Sequence, residues 1–136
     1  MSIAGIGIDM VEVRRIEHSV ERFSRRFLQR VFTEGEIEYC HSMKYPARHL
    51  AARFAAKEAA SKAFGTGIGK AIGWRDIDVH RKESGEPYIV LSGAGELLAR
   101  ERSVESVFVS LSHTGEYAVA VVILQRESSV CPAGEE

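Results

Sequence analysis

Two cysteines, three prolines and one tryptophan are all that 136 residues contain of these types. Cys40 and Cys131 lie far apart and form no C-x-x-C pair. That excludes a disulfide framework or a zinc knuckle and fits a reduced, cytoplasmic protein. No apolar run approaches the roughly 20 residues a membrane span requires. The N-terminal stretch MSIAGIGIDMVEVRR is apolar only as far as Ile8 and lacks the basic leader and long apolar core of a signal peptide. Neither sign of charge is in excess, the net charge being −1. Nucleic acid and membrane are therefore not expected as partners of the molecule as a whole, and any electrostatic bias must be local. Internal repeats and linker-like stretches are also missing.

What is present is enough for one ordinary core, with 45% hydrophobic residues in a chain the length of one domain. The expected domain covers residues 1–125. A flexible tail, 126–136, follows, where periodicity gives way to Ser, Pro, Gly and Glu. Ile3 to Val13 alternates loosely and reads as a strand, its Gly5 and Gly7 marking close approach by a neighbour. From Arg14 the period becomes helical, with Ile16, Val20, Phe23 and Phe27 on one stripe. Thr33-Glu34-Gly35-Glu36 is a capping box opening a short helix, which Lys44-Tyr45-Pro46 breaks. A helix from about Ala47 to Phe64 ends at Gly65, a natural residue for the left-handed cap. Asp76 to His80 and Tyr88 to Leu91 read as two strands around the turn Ser84-Gly85-Glu86-Pro87. Ser92 caps a helix to about Arg102 with Leu97 and Leu98 buried. Val107 to Ser112 and Tyr117 to Leu124 form a final hairpin. This order predicts an α+β domain with a largely antiparallel sheet packed by helices.

The stretch RFAAKEAASKAFGTGIG, residues 53–69, carries the clearest chemical signal. Ala52, Ala56, Ala59 and Ala63 make a smooth helical side able to approach a sheet closely. Glu58 and Lys62 are neighbours at i, i+4 on the opposite half. As an exposed ion pair they are worth about 0.3–0.5 kcal/mol and need mean nothing more. A function requires a further group to converge on Glu58, and Asp9, ending the first strand, is the candidate. Two carboxylates repel unless a cation lies between them, and a small oxygen-only set suits Mg²⁺, which keeps waters and shares itself with phosphate. By itself Asp9 reads more readily as a strand-terminal residue making a local turn hydrogen bond.

The turn Gly65-Thr66-Gly67-Ile68-Gly69 follows its helix instead of opening one, so it is neither a Walker A loop nor a dinucleotide fingerprint. Its glycines either let phosphates approach backbone N–H groups or merely end the helix. Ser112-His113-Thr114 ends a strand, where a histidine can bind phosphate or move a proton, or can be a turn residue. No nucleophile elbow is present. On the first helix Arg14, His18, Arg22 and Arg25 form a face of one sign in a nearly neutral chain. Like charges at these spacings cost a little, and an acidic partner accounts for them.

Together, in this order, GIGIDMVEVRRI, RFAAKEAASKAFGTGIG, SGEPYI and VSLSHTGEYAVAVVI resemble the holo-acyl-carrier-protein synthases, the small bacterial phosphopantetheinyl transferases, over about residues 3–125. The resemblance implies an α+β 4′-phosphopantetheinyl transferase-like fold. It implies transfer of 4′-phosphopantetheine from coenzyme A to a serine of apo acyl carrier protein, with release of adenosine 3′,5′-bisphosphate, for fatty acid biosynthesis. Carried over, Asp9 and Glu58 would be Mg²⁺ carboxylates, and Lys62 would contact the coenzyme A phosphates. Arg53, Ser112, His113, Thr114 and the turn from Gly65 would serve the nucleotide. Arg14, His18, Arg22 and Arg25 would dock the acidic carrier protein. Homotrimers with active sites between subunits are implied as well. The family's common Gly-Lys-Pro turn reads Gly85-Glu86-Pro87, which removes a basic contact. The serine's proton could pass to Glu58, a metal-bound water or His113. A non-enzymatic nucleotide- or protein-binding module, a phosphohydrolase and a purely structural trimer are the rival expectations. Mg²⁺-dependent, acceptor-dependent turnover separates them from a transferase.

Overall fold

Strand β1 spans Ser2–Glu12 and pairs antiparallel with the last strand. The computed structural model describes residues 1–127. After β1 come helices α1 (Val13–Val31), α2 (Glu34–His41) and α3 (Pro46–Phe64), then a 3₁₀ turn at Trp74–Asp76. The second half holds β2 (Ile77–Arg81), β3 (Pro87–Leu91), α4 (Gly93–Glu101), β4 (Ser106–His113) and β5 (Tyr117–Arg126). The expected single antiparallel sheet is two sheets: β1-β5-β4 and a separate β2-β3 hairpin, with every pairing antiparallel. β5 runs through Arg126, and residues 128–136, which hold most of the expected tail and Cys131, lie outside the described residues. Cys40 is free and buried.

The anchor of the fold is α3. Its N-terminus is set by Pro46 at the first helical turn, where the missing N–H costs nothing. Its C-terminus is set by Gly65 in the left-handed conformation, φ 78°. The predicted close approach of β1 is present. A Cβ on Gly7 would lie 1.9 Å from the Ala59 carbonyl oxygen, and one on Gly5 would lie 2.0 Å from that of Ala63. The strand therefore lies directly on the alanine side of the helix. The expected two-sided helix is not found, because α3 is buried almost all round. Ala51 and Ala55 are as buried as Ala52 and Ala56, and Arg53 and Lys57 are buried too. The sheet covers one side, and α1, α2 and β2 cover much of the rest. Only Phe54, Glu58 and Lys62, one row at i, i+4 and i+8, reach towards solvent along the helix's last half.

Lys57 is held in this interior by a complete set of partners. Its Nζ lies 2.8 Å from Glu36 Oε1 and donates to the carbonyls of Trp74 at 3.0 Å and Ile77 at 2.5 Å. Glu36 is the capping-box glutamate: its Oε1 accepts from Thr33 N at 2.9 Å while its Oε2 accepts from Val79 N at 2.7 Å. The capping box thus ties the start of α2 to α3, the 3₁₀ turn and β2 through one buried charge pair.

Three local expectations are corrected. Leu97 is exposed while Leu98 is buried, and Ser92 makes no side-chain cap to α4, whose N-terminal turn is glycine-rich. The apolar stripe of α1 is interrupted at Ser24, which has φ 48° and ψ −127° inside the helix. The helical register is broken there, so Ile16 is buried but Phe23, next to the break, is exposed.

Candidate active site

Pleating sorts the three-stranded sheet into two faces. Gly5, Gly7, Asp9 and Val11 of β1 lie in rows with Leu124, Val122, Ala120 and Ala118 of β5, on the face toward α3. His113 of β4 belongs to the Ala118 row. The opposite face carries Ile6, Ile8 and Met10, then Ile123, Val121 and Val119, then Phe108, Ser110 and Ser112. Ile8 is 62% exposed and Met10 65% exposed, so this face is open and apolar.

Asp9 therefore points toward α3, where it meets Lys62 and Glu58. Lys62 Nζ donates to Asp9 Oδ1 at 2.9 Å and to the Ile8 carbonyl at 3.3 Å. The expected Glu58–Lys62 pair is absent among the described residues, since Lys62 reaches across to the strand instead. Glu58 is left without a bonded counter-ion there. Its carboxyl is pushed above the usual range, first by burial and then by the negative charge of Asp9, against the pull of Lys62 and Arg15. Lys62 is held above its ordinary value by its hydrogen bond to Asp9. Asp9 and Glu58 are thus brought within electrostatic reach, as the family resemblance implied and no spacing argument could.

A second group lies at the other edge of the same sheet. β5 separates β1 from β4, so the two edges are about 10 Å apart, twice the inter-strand spacing. Here the His113 ring stands 4.8 Å from that of His49, whose own ring is 6.0 Å from Tyr39. Arg53 lies over the Tyr39 ring at 4.4 Å and Arg81 over it at 5.9 Å. Tyr39, Arg53 and Arg81 line a hollow of about 510 Å³ together with residues of the β2–β3 hairpin. Arg48 joins from the first turn of α3, close to Gly115. Buried polar atoms without a partner collect in this region: Arg53 Nε, Arg81 Nε and His49 Nδ1. Both imidazoles are held below their ordinary value. For His113 the causes are burial and then Arg48, Arg81 and Arg53. For His49 they are burial, His113, Arg53, Arg81 and Arg48, and its value falls to about 4. Unpaired buried donors under a common positive field suit an anion.

The remaining candidates are scattered by the same pleat. Ser112 lies on the open face, opposite in direction to its neighbour His113. Thr114 Oγ1 accepts from Glu116 N at 3.1 Å and Tyr117 N at 3.0 Å, so within the chain it caps the β4–β5 hairpin. Gly65 opens a turn beyond Lys62 in which Thr66 N and Gly67 N donate to the Ser61 carbonyl. Arg14, His18, Arg22 and Arg25 are all exposed. Arg14 and His18 share one hollow with Arg15, while Arg25, past the break at Ser24, lines another with Val20, Leu28 and Ile37 of α1 and α2. Arg48, His49 and Arg81 carried no signal of their own in the sequence. His49 and Arg53 stand at i, i+4, which marks a shared helical side, but nothing in the sequence connects Arg81 of β2 to that side. Among the described residues no group of three or more His, Cys, Asp or Glu could hold a metal ion.

The family model described as the 4′-phosphopantetheinyl transferase superfamily matches residues 5–122, and the chain belongs to that superfamily. Within it, the chain is 47% identical over 121 residues to the holo-[acyl-carrier-protein] synthase of Chlamydia trachomatis serovar L2, covering 89% of this chain and 98% of that one. It superposes on the crystal structure of holo-[acyl-carrier-protein] synthase from Neisseria meningitidis with TM-score 0.86 at 33% identity, covering 92% of this chain and 100% of the other. The Helicobacter pylori holo-[acyl-carrier-protein] synthase in complex with coenzyme A matches with TM-score 0.80 at 37% identity, covering 88% and 99%.

Proposed function

We propose that this chain is a holo-acyl-carrier-protein synthase. It moves the 4′-phosphopantetheine of coenzyme A onto a serine of apo acyl carrier protein and releases adenosine 3′,5′-bisphosphate, in the cytoplasm and for fatty acid synthesis. The observation that carries this most directly is the meeting of Asp9, Glu58 and Lys62 in a chain so similar to named synthases.

In the reaction the serine oxygen attacks the phosphorus that bears pantetheine. The bond from that phosphorus to the bridging oxygen breaks, the bisphosphate leaves with the electron pair, and the serine proton passes to a base. Asp9 and Glu58 suit Mg²⁺: both donors are oxygens, their mutual repulsion is only partly offset by Lys62 and Arg15, and two protein ligands leave room for waters and phosphate oxygens. When bound, that ion would supply positive charge to the pyrophosphate oxygens as charge develops on them. Lys62 adds a mobile positive charge beside the same oxygens. The serine proton passes to Glu58, to a water or to His113, the three bases the sequence offers. Arg53, with Arg48, Arg81 and His113, holds the nucleotide phosphate. The turn from Gly65 borders the same substrate.

We read the working unit as a homotrimer with sites between copies. The open apolar face of β1, β5 and β4 supports this, because a contiguous patch of that kind marks an interface. So does the division of the charged groups between opposite sheet edges, with Ser112 turned outward towards a neighbour. The one-signed face of α1 supports docking of an acidic carrier protein, steered and weakened by salt.

The test is intact-protein mass spectrometry of apo acyl carrier protein incubated with this protein, coenzyme A and Mg²⁺. A phosphopantetheine-sized gain that disappears with EDTA and with Glu58→Gln is expected. Coenzyme A bound without any gain would favour a binding module. Coenzyme A hydrolysed without acceptor would favour a phosphohydrolase.

A further inference from the structure

His49 has no place in the transfer just described, yet it sits against His113 under the charges of Arg48, Arg53 and Arg81. Its ring is clamped between Tyr39 of α2, edge-on at 6.0 Å, and His113 of β4, edge-on at 4.8 Å. Arg53, one turn along α3, donates back to the His49 carbonyl at 3.3 Å, fixing the local backbone. The His49 Nδ1 atom is buried without a partner, as are Arg53 Nε and Arg81 Nε. The charged groups acting on the imidazole are Arg48 and Arg53 from α3, Arg81 from β2 and His113 from β4. Tyr39 is the titratable group facing it from α2. No carboxylate is among the causes that shift either imidazole, although Asp78, Glu83 and a third histidine, His80, line the hollow beside Arg53 and Arg81, with Asp78 paired to His80 and Thr33.

Three guanidinium groups cannot change charge at ordinary pH, but two imidazoles can. Without an anion, burial first and then the neighbouring positive charges favour the neutral form of both rings. A phosphate placed among them reverses the field, and a charge of opposite sign at close range favours the protonated ring. The two edge-on rings then become two further donors to the anion.

We propose that His49 is a further binding residue of the nucleotide-phosphate site, forming with His113 an imidazole pair that holds a phosphate monoester by taking up a proton. This rests on the reading of the Arg53–His113 edge as the coenzyme A phosphate site, and it adds a ligand-linked proton to it. Binding of an anion of fixed charge at this edge therefore tightens as pH falls below neutrality, whereas a phosphate monoester, with its own second pKa of about 6, gains less because it takes up a proton itself.

Sulfate is the right first probe, since its own charge is constant between pH 5 and 8 and it undergoes no turnover. Sulfate affinity would be measured by calorimetry at pH 6 and pH 8, with histidine C2–H proton NMR on the same samples. Adenosine 3′,5′-bisphosphate would form a second arm. The wild-type protein is expected to bind sulfate about tenfold more tightly at pH 6, with the His49 and His113 midpoints moved up by roughly 1–3 units on binding. In His49→Phe most of the pH 6 advantage disappears while affinity at pH 8 is nearly unchanged. A residue of merely structural value would weaken binding equally at both. His49→Asn, polar but without a titrating ring, should behave as His49→Phe and guards against a folding artefact. Equal pH dependence in wild-type and variants, or unmoved midpoints, would overturn the inference. Either result leaves the Glu58→Gln transfer assay untouched, so the two proposals fail separately.

Discussion

Two lysines on different sides of α3, about one and a half turns apart, show how the same helix separates architecture from chemistry. Lys57 and Lys62 are five residues apart, and each is paired with a carboxylate from another element. Lys57 is fully buried, its ammonium shared among one carboxylate and two carbonyls, and its partner Glu36 has both oxygens bonded to backbone N–H groups as well. Burial pulls the lysine below its ordinary value, and the Glu36 charge opposes that pull. Every donor is spent, so nothing is left over for a ligand. Lys62 is half exposed, its partner Asp9 faces a second carboxylate, and Glu58 has no bonded counter-ion among the described residues. Here charge is left unbalanced at the surface, which is the condition for binding something more.

The sharpest way to break the comparison is to remove each lysine's neighbourhood in turn. Lys57→Met should leave Glu36 buried and unpaired, costing about 3–5 kcal/mol in urea unfolding. Adding Glu36→Gln should restore part of that loss. Stability within 1 kcal/mol of wild type after Lys57→Met would mean the pair is not structural. Glu58→Gln should do the reverse, lowering transfer by roughly 10²–10³-fold with an unfolding midpoint close to wild type. Arg14→Glu should raise the Michaelis constant for the carrier protein about tenfold at low salt, and leave that for coenzyme A nearly unchanged. Equal changes in both constants would remove α1 from docking. The smallest effect concerns the imidazoles. Their folded values lie below the ordinary 6.5, so the neutral form is the one the fold favours. Their share of stability is complete above pH 6.5 and is lost as pH falls toward the His49 value of about 4. Thermal melts should therefore show a modest fall between pH 7 and 4.5, smaller in sulfate and smaller in His49→Phe.

Much of this was legible in the sequence because it is local. Gly5 and Gly7 announced a close neighbour, which the structure shows to be α3, and Thr33 with Glu36 announced the start of α2. Gly65 announced the end of α3. The Asp9–Glu58 encounter was visible only through family resemblance, since strand and helix are brought together by packing across 48 intervening positions. What the sequence did not carry is the second use of local signals. The capping-box glutamate is also the counter-ion of Lys57, and no periodicity records that. The pleat also sends Ser112 and His113 to opposite faces, although a motif of adjacent residues suggests a shared site. Arg48, His49 and Arg81 became a group only when β2 and β4 closed on α3.

The account turns on the claim that the Asp9–Glu58–Lys62 edge of one copy works with the Arg53–His113 edge of another. Subunit mixing tests it most directly. Glu58→Gln and a double variant, Arg48→Ala with His113→Ala, would each be assayed alone by mass gain on apo acyl carrier protein. They would then be mixed under conditions that exchange subunits. Each alone should be nearly inactive, and the mixture should recover a substantial fraction of wild-type transfer, because some sites then combine two intact edges. Mixed assemblies that form but stay as inactive as their parents would contradict the account.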